Sequence, residues 1–317
     1  MHYFFNKLRG IAQNIVPLQR YNSFKATNYI LSHRIVMRKG LVLEGGGMRG
    51  LFTAGILDVM MEHGISVDGV VGVSAGALFG CNYVSRQPGR ALRYNLRFRK
   101  DPRYMGWRTL WRTGNIVSPD FAYHTLPNEL DIFDYETFNN SNTKFYLVAT
   151  DAERGIPIYH KLECMDDNAM EWMRASASMP IVSQAVEVDG LKLLDGGITD
   201  SIPLKYFQSL GYTRNIVILT QPKGYFKKQT KLMPLFHLLS SNYPQIIRCM
   251  AQRHIMYNNE LLYIAQEESK GNIIVLCPEK PLRIGRTEQT AHKMQAVYDM
   301  GRDCATQNID RLKDFLR

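Results

Sequence analysis

Gly72-Val73-Ser74-Ala75-Gly76 narrows the folds open to this 317-residue chain more than any other stretch. It follows the short apolar run 68–73 and precedes a run of small residues, 75–84. A serine between glycines at such a junction reads as a sharp strand-to-helix turn, with the hydroxyl projecting above a sheet. The pattern around it is strand, glycine turn, helix, strand. Gly40–Glu44 reads as a strand, Gly45–Gly50 as a glycine turn and Leu51–His63 as a helix ended by Gly64. Further strands read at 145–150, 191–194, 215–220 and 272–277, and helices at 167–176, 203–210, 244–268 and 287–315. Such alternation predicts an α/β fold with a mostly parallel central sheet covered by helices on both faces. The Pro- and Lys-interrupted stretch 221–243 reads as a surface insertion.

Length alone allows one large domain or two. The division we expect is a basic N-terminal extension, residues 1–36, ahead of a catalytic domain, residues 37–317. That domain holds its core motifs in 40–200 and a C-terminal helical region in 244–317. In the extension, Phe4, Leu8, Ile11, Ile15 and Leu18 form a helical stripe that Pro17 cuts short. No stretch is apolar enough to span a membrane; the run 69–85 is broken by Gly, Ser and Asn. Five dispersed cysteines, an odd number with no CxxC, fit reduced thiols and a cytoplasmic location, and disfavour zinc.

The net charge of +10 is uneven. Residues 1–43 carry Lys7, Arg9, Arg20, Lys25, Arg34, Arg38 and Lys39 with no acid, and residues 86–112 carry eight Arg and Lys100 against Asp101 alone. The remainder is net acidic, which argues against a nucleic-acid binder. Arg86, Arg90, Arg93 and Arg97 recur at spacings of 4, 3 and 4, which predicts four guanidinium groups on one helical face. Trp107 and Trp111 follow among further arginines, a composition suited to peripheral contact with an anionic membrane; a solvated helix face is the alternative.

Two further motifs bear on chemistry. Gly45-Gly46-Gly47-Met48-Arg49-Gly50 satisfies GxGxxG, but the next strand runs into Gly72–Gly76 with no acid to hold a ribose, so a dinucleotide fold fails. Leu194-Asp195-Gly196-Gly197 delivers a carboxylate into a glycine turn. Together the pieces supply a nucleophile (Ser74), a proton acceptor (Asp195) and a run of backbone N–H groups for an oxyanion. Asp151, at the end of the 145–150 strand, is the rival base, and His254 or His292 could close a Ser-His-Asp triad. Both histidines fall within predicted helices, and only one strand precedes Ser74, which argues against the triad fold.

With these motifs and Arg174-Ala175-Ser176-Ala177-Ser178-Met179-Pro180, all in family order, the chain resembles the patatin-like phospholipase family, in its bacterial esterase branch, over roughly residues 38–280. The resemblance implies a three-layer α/β/α fold and a Ser-Asp dyad. In it Ser74 is the nucleophile, Asp195 the base and Gly45, Gly46, Gly47, Met48, Arg49 and Gly50 the oxyanion loop. Gly72 and Gly76 flank the elbow, and Gly196 and Gly197 follow the base. Glu44 departs from the residues frequent before the glycines. The expected activity is hydrolysis of lipid carboxylic esters through an acyl-serine, with no metal or organic cofactor. An acyltransferase using the same acyl-serine and a non-catalytic lipid-binding module are the alternatives. The oligomeric state is not written in the sequence.

Overall fold

The computed structural model describes residues 37–317; the N-terminal stripe expected above lies outside them. Its strands are β1 (Arg38–Leu43), β2 (Gly69–Val73), β3 (Lys144–Asp151), β4 (Ile156–Leu162), β5 (Val186–Val188), β6 (Leu191–Asp195), β7 (Tyr212–Ile218) and β8 (Ile273–Leu276). The helices preceding the middle of the chain are α1 (Gly50–Glu62), α2 (Ala75–Val84), α3 (Arg90–Phe98), α4 (Trp107–Thr113), α5 (Asp120–Leu130) and α6 (Tyr135–Asn139). Those that follow are α7 (Asp167–Ser176), α8 (Leu204–Ser209), α9 (Met233–Leu239), α10 (Pro244–Ser269), α11 (Ala291–Gln307) and α12 (Ile309–Phe315).

All eight strands form one sheet in the order β5-β6-β3-β2-β1-β7-β8, with β4 also paired to β3. The pairs among β3, β2, β1, β7 and β8 are parallel, and those of β4, β5 and β6 antiparallel. Period-two alternation sends neighbouring strand residues to opposite faces. Leu41, Leu43, Val70, Ile216 and Ile218 enter the core packed by α1, α2 and α11. Val42, Val71, Val73, Val148 and Val217 enter the opposite core, with Leu204 and Phe207 of α8 and Tyr257 and Ile264 of α10. The result is the expected three-layer α/β/α arrangement. The parallel strands read as unbroken apolar runs because both faces are covered.

The register of β3 places the site. β2 pairs with β3 up to Val73↔Val148, and β6 takes over with Ala149↔Asp195. The β4 pairing runs along β3 from Phe145 to Asp151, so β6 must share the edge used by β2. Residue 74, one step past the end of β2, is thereby brought to the end of β6.

On the other side of the sheet α1 and α11 cross at two glycines. A Cβ on Gly55 would collide with the Tyr298 carbonyl, and one on Gly301 with the Phe52 carbonyl. Three local expectations are corrected. The 287–315 helix breaks at Asn308 into α11 and α12. The insertion 221–243 contains helix α9. Two antiparallel strands, β4 and β5, were not foreseen: β4 is only half-buried and breaks the apolar alternation with Pro157, His160 and Lys161, and β5 is three residues long.

Candidate active site

Ser74 sits between β2 and α2 with φ 54° and ψ −123°, a left-handed conformation for a residue with a side chain. Such a backbone costs about 1–3 kcal/mol and persists only where its surroundings hold it. The Ser74 N–H donates to Ser176 Oγ at 3.0 Å, whose hydroxyl in turn donates to the Val148 carbonyl at 2.7 Å. The Ser74 carbonyl accepts from Ala77 and Leu78, both at 3.0 Å, starting α2. A Cβ on Gly72 would lie 2.6 Å from the Ala77 backbone, and one on Gly76 would strike the Leu43 carbonyl. Both flanking glycines are required by close approach.

Asp195 ends β6 and is buried. Its N–H donates to the Ser178 carbonyl at 2.8 Å, and its Oδ1 accepts from the Gly197 N–H at 2.8 Å. A Cβ on Gly196 would collide with the Val148 carbonyl, so the turn after the carboxylate has to begin on glycine. Burial pushes the Asp195 carboxyl above its ordinary value; a hydrogen bond with Ser74, the Arg253 charge and the Gly197 N–H oppose the rise. Ser74 and Asp195 line one small cavity with Gly45, Gly46 and Gly47.

The glycine loop is held from behind. Glu44, buried at its entry, accepts from the Thr220 N–H at 2.6 Å and from the Tyr257 hydroxyl of α10 at 2.7 Å. Gly47 takes a φ of 59°. The N–H run expected from Gly45 to Gly50 is partly spent. Met48 donates to the Arg286 carbonyl at 3.1 Å, Arg49 to Gly46 at 3.4 Å, and Gly50 to the carbonyls of Gly47 and Met48. Among the described residues the N–H groups of Gly45, Gly46 and Gly47 meet no acceptor. Those three are the donors the loop leaves unspent.

A larger apolar cavity of about 380 Å³ adjoins the small one and shares Gly47, Ser74, Met179 and Arg286 with it. Its walls include Leu78, Phe79, Tyr123, Leu126, Met170 and Met173. Among the described residues no histidine lines either cavity, and His254 and His292 lie within α10 and α11. Asp151 is committed elsewhere: its Oδ1 caps the following turn by accepting from the N–H groups of Glu153 and Arg154, both at 2.9 Å.

The arginine stripe is not a free face. Arg86 precedes α3, in a turn with φ 53°. Arg90 is buried, donating to the Asp131 carbonyl at 2.6 Å and to Asn82 Oδ1 at 2.9 Å. Arg93 grips the Asp131 carboxylate with two 2.8 Å bonds, and Arg97 donates to the Leu130 carbonyl at 2.8 Å. The periodicity is real, but three of the four arginines clasp the loop after α5. Trp107 and Trp111 of α4, by contrast, are 78% and 90% exposed, with Arg108 and Arg112 exposed beside them.

Sequence reasoning missed Ser176, although it lies in the quoted 174–180 motif, and it missed Lys227, Arg253 and Arg286. The last three converge on the small cavity from an insertion, a long helix and a C-terminal loop, and no local spacing marks them.

A serine on a strained strand-to-helix turn and a buried carboxylate line one cavity with a glycine loop, in an α/β protein with a mixed sheet. The chain belongs to the patatin-like phospholipase family, whose model matches residues 41–207. Residues 243–317 match a second model, described as a domain of unknown function (DUF6363). The chain is 28% identical to the uncharacterized protein YjjU of Escherichia coli, a match covering 84% of this chain and 76% of that protein. It is 30% identical to the lysophospholipase nte1 of Aspergillus fumigatus over 59% of this chain, which is only 12% of that protein's length. Among solved structures, VipD from Legionella pneumophila aligns with a TM-score of 0.44 at 14% identity, over 87% of this chain and 67% of that one.

Proposed function

We propose that the protein is a serine lipid acyl hydrolase working through a Ser74–Asp195 dyad. The observation that carries this reading is the shared cavity, in which a strained serine and a buried carboxylate meet beside backbone N–H groups of Gly45, Gly46 and Gly47 that have no acceptor among the described residues, and open into an apolar chamber. Ser74 Oγ attacks the ester carbonyl while Asp195 takes its proton. The developing oxyanion is met by N–H groups of the Gly45-Gly46-Gly47 run. The leaving alkoxide recovers the proton from Asp195, and water, deprotonated by the same carboxylate, releases the acyl-Ser74. A carboxylate is a weak base for a hydroxyl. Oxyanion stabilisation, on the order of 3–4 kcal/mol per donor, therefore has to supply much of the rate.

The apolar chamber suits the fatty acyl chain, and the relatives named as lysophospholipases support a lipid ester as substrate. The exposed tryptophans of α4 lie between Met105 and Ile116, which line the chamber, so a membrane contact at α4 would set its opening toward lipid. The experiment is labelling with a fluorophosphonate and mass mapping of the adduct, together with turnover of p-nitrophenyl esters of increasing chain length. A label on a residue other than Ser74, or full turnover in Ser74→Ala, overturns the reading. Release of acyl product to a lysolipid acceptor in preference to water would make it an acyltransferase instead.

A further inference from the structure

One face of α10 reaches both halves of the site. Arg253, Tyr257 and Glu260 follow one another at spacings of 4 and 3, which puts them on one side of the helix. Tyr257 donates to Glu44, at the entry to the glycine loop, at 2.7 Å. Arg253 donates through Nε to the Gly197 carbonyl. Glu260 Oε1 accepts from the Ser201 N–H at 3.0 Å. From Ser201 two further bonds lead to the base. Its hydroxyl donates to the Gly197 carbonyl at 2.9 Å, and the Gly197 N–H donates to Asp195 Oδ1 at 2.8 Å. The turn between Asp195 and Ser201 is tight, for the Asp200 N–H returns to the Gly196 carbonyl at 3.0 Å.

The second oxygen, Glu260 Oε2, is buried and meets no donor among the described residues. A carboxylate oxygen left in that state is costly. Its neighbour is the Asp200 carboxyl, to which Glu260 is hydrogen-bonded. Two carboxyls can share such a bond only if one of them keeps a proton. Burial and then the Asp200 charge push Glu260 well above the ordinary carboxylate value. Burial raises Asp200 as well, against the bonds from Glu260 and Tyr159. The proton therefore sits on Glu260, which donates it to Asp200. The Tyr159 hydroxyl of β4 also donates to Asp200, at 2.7 Å, and its ring stacks on Tyr206 of α8 at 3.7 Å. Two charges face the pair: Lys205 of α8, which favours the Asp200 carboxylate, and Glu44 just past β1, which disfavours one on Glu260.

We infer that Glu260 is a positioning residue: paired with Asp200 it holds the turn that aims the Asp195 carboxylate, and with Arg253 and Tyr257 it makes one face of α10 the brace of both the base and the glycine loop. The inference rests on the hydrolase reading for the reaction it serves. Asp200 lies in the region matching the patatin-like model, and the three residues of α10 lie in the region matching the domain of unknown function. The bond between the two carboxyls gives that second region a part in the chemistry, since it fixes where the base points. Loss of the shared proton would set two carboxylates against each other and push α10 away from the turn. Turnover should therefore fail on the alkaline side as well as on the acid side, where Asp195 itself is protonated.

The test compares the full chain with Glu260→Ala and Glu260→Gln on a soluble p-nitrophenyl ester across pH. The rate in Ser74→Ala is subtracted, and circular dichroism verifies each fold. Glutamine can keep both bonds, Nε2 donating to Asp200 and Oε1 accepting from Ser201, and it does not titrate. In Glu260→Ala kcat should fall at least tenfold with KM little changed, and Glu260→Gln should recover that loss at neutral pH. The alkaline limb of kcat/KM should move up by about one pH unit or more in Glu260→Gln. Lys227, which burial lowers to about 7 and which lines the cavity of Asp195, titrates alike in parent and variant and leaves this difference intact. A role in folding alone would lower the melting temperature of Glu260→Ala and leave the limb where it is. An alkaline limb unmoved in Glu260→Gln, or kcat unchanged in Glu260→Ala, overturns the assignment. If the alanine variant does not fold, the glutamine profile decides alone. An active parent with unmoved profiles removes the positioning role and leaves the hydrolase standing; a parent that cleaves no ester and takes no fluorophosphonate on Ser74 removes both.

Discussion

At the residue scale, the conformation of Ser74 and the burial of Asp195 both work against stability, and their consequences separate in experiment. The Asp195 carboxyl has a higher pKa folded than unfolded because burial disfavours its charge. Its contribution to stability is therefore fullest below the ordinary carboxylate value and lost as pH rises through the raised one. Asp195→Asn keeps the shape without the charge. It should abolish ester turnover by 10³-fold or more and yet melt at a higher temperature than the parent at pH 7, as seen by thermal unfolding. In the parent, kcat/KM should fall on acidification as the base is protonated. Arg253→Met, which removes a field that holds the carboxyl down, should move that acid limb to higher pH. Asp151→Asn, His254→Ala and His292→Ala should each retain activity within a few-fold. The elbow glycines and Asp195-Gly196-Gly197 were legible in the sequence because each sits where only a glycine or a carboxylate fits. Ser176 stood in a quoted motif, but its bond to the elbow joins residues 102 apart and leaves no spacing to read.

At the scale of elements, α3 shows how a correct period can lead to a wrong face. Residues 90, 93 and 97 do share one side of the helix, but Leu130 and Asp131 take their hydrogen bonds and Arg90 is buried there. An arginine spacing reads the same whether its partner is a lipid phosphate or a carboxylate 38 residues away. Arg90→Met leaves part of a buried ion pair unanswered and should cost about 3 kcal/mol or more in urea denaturation. Arg97→Gln, at an exposed position, should change stability by less than about 0.5 kcal/mol. The membrane prediction moves accordingly to α4. Replacing Arg108 and Arg112 with Gln removes about 1 kcal/mol of surface attraction each, a roughly 30-fold weaker partition to anionic vesicles at low salt. Replacing Trp107 and Trp111 with Ala should weaken binding further, and this part should persist at high salt. Cosedimentation of both variants like the parent would remove α4 from any contact.

At the scale of the molecule, the two matched regions are one folded body. The C-terminal region supplies β8 to the sheet, α10 to one face and α11 to the other. The α1–α11 crossing leaves no room for a methyl group, so Gly55→Ala and Gly301→Ala should each cost about 1–3 kcal/mol in denaturant unfolding. A chain ended before Pro244 should lose near-ultraviolet circular dichroism while keeping helix. The three-layer architecture was legible because apolar runs alternate with helical periodicity from residue 40 onward. What remained hidden was convergence: Lys227, Arg253 and Arg286 meet only after the sheet has closed.

The bond from the Met48 N–H to the Arg286 carbonyl has a consequence for synthesis. A ribosome releases Ser74 and the glycine loop early, Asp195 later, and the residue that braces the loop close to the end. The nascent protein therefore carries Ser74 long before the glycine loop beside it can be set, and the cavity is finished only when the end of the chain emerges. A chain stalled or clipped before Arg286 would hold Ser74, the glycine loop and Asp195 and still lack the brace.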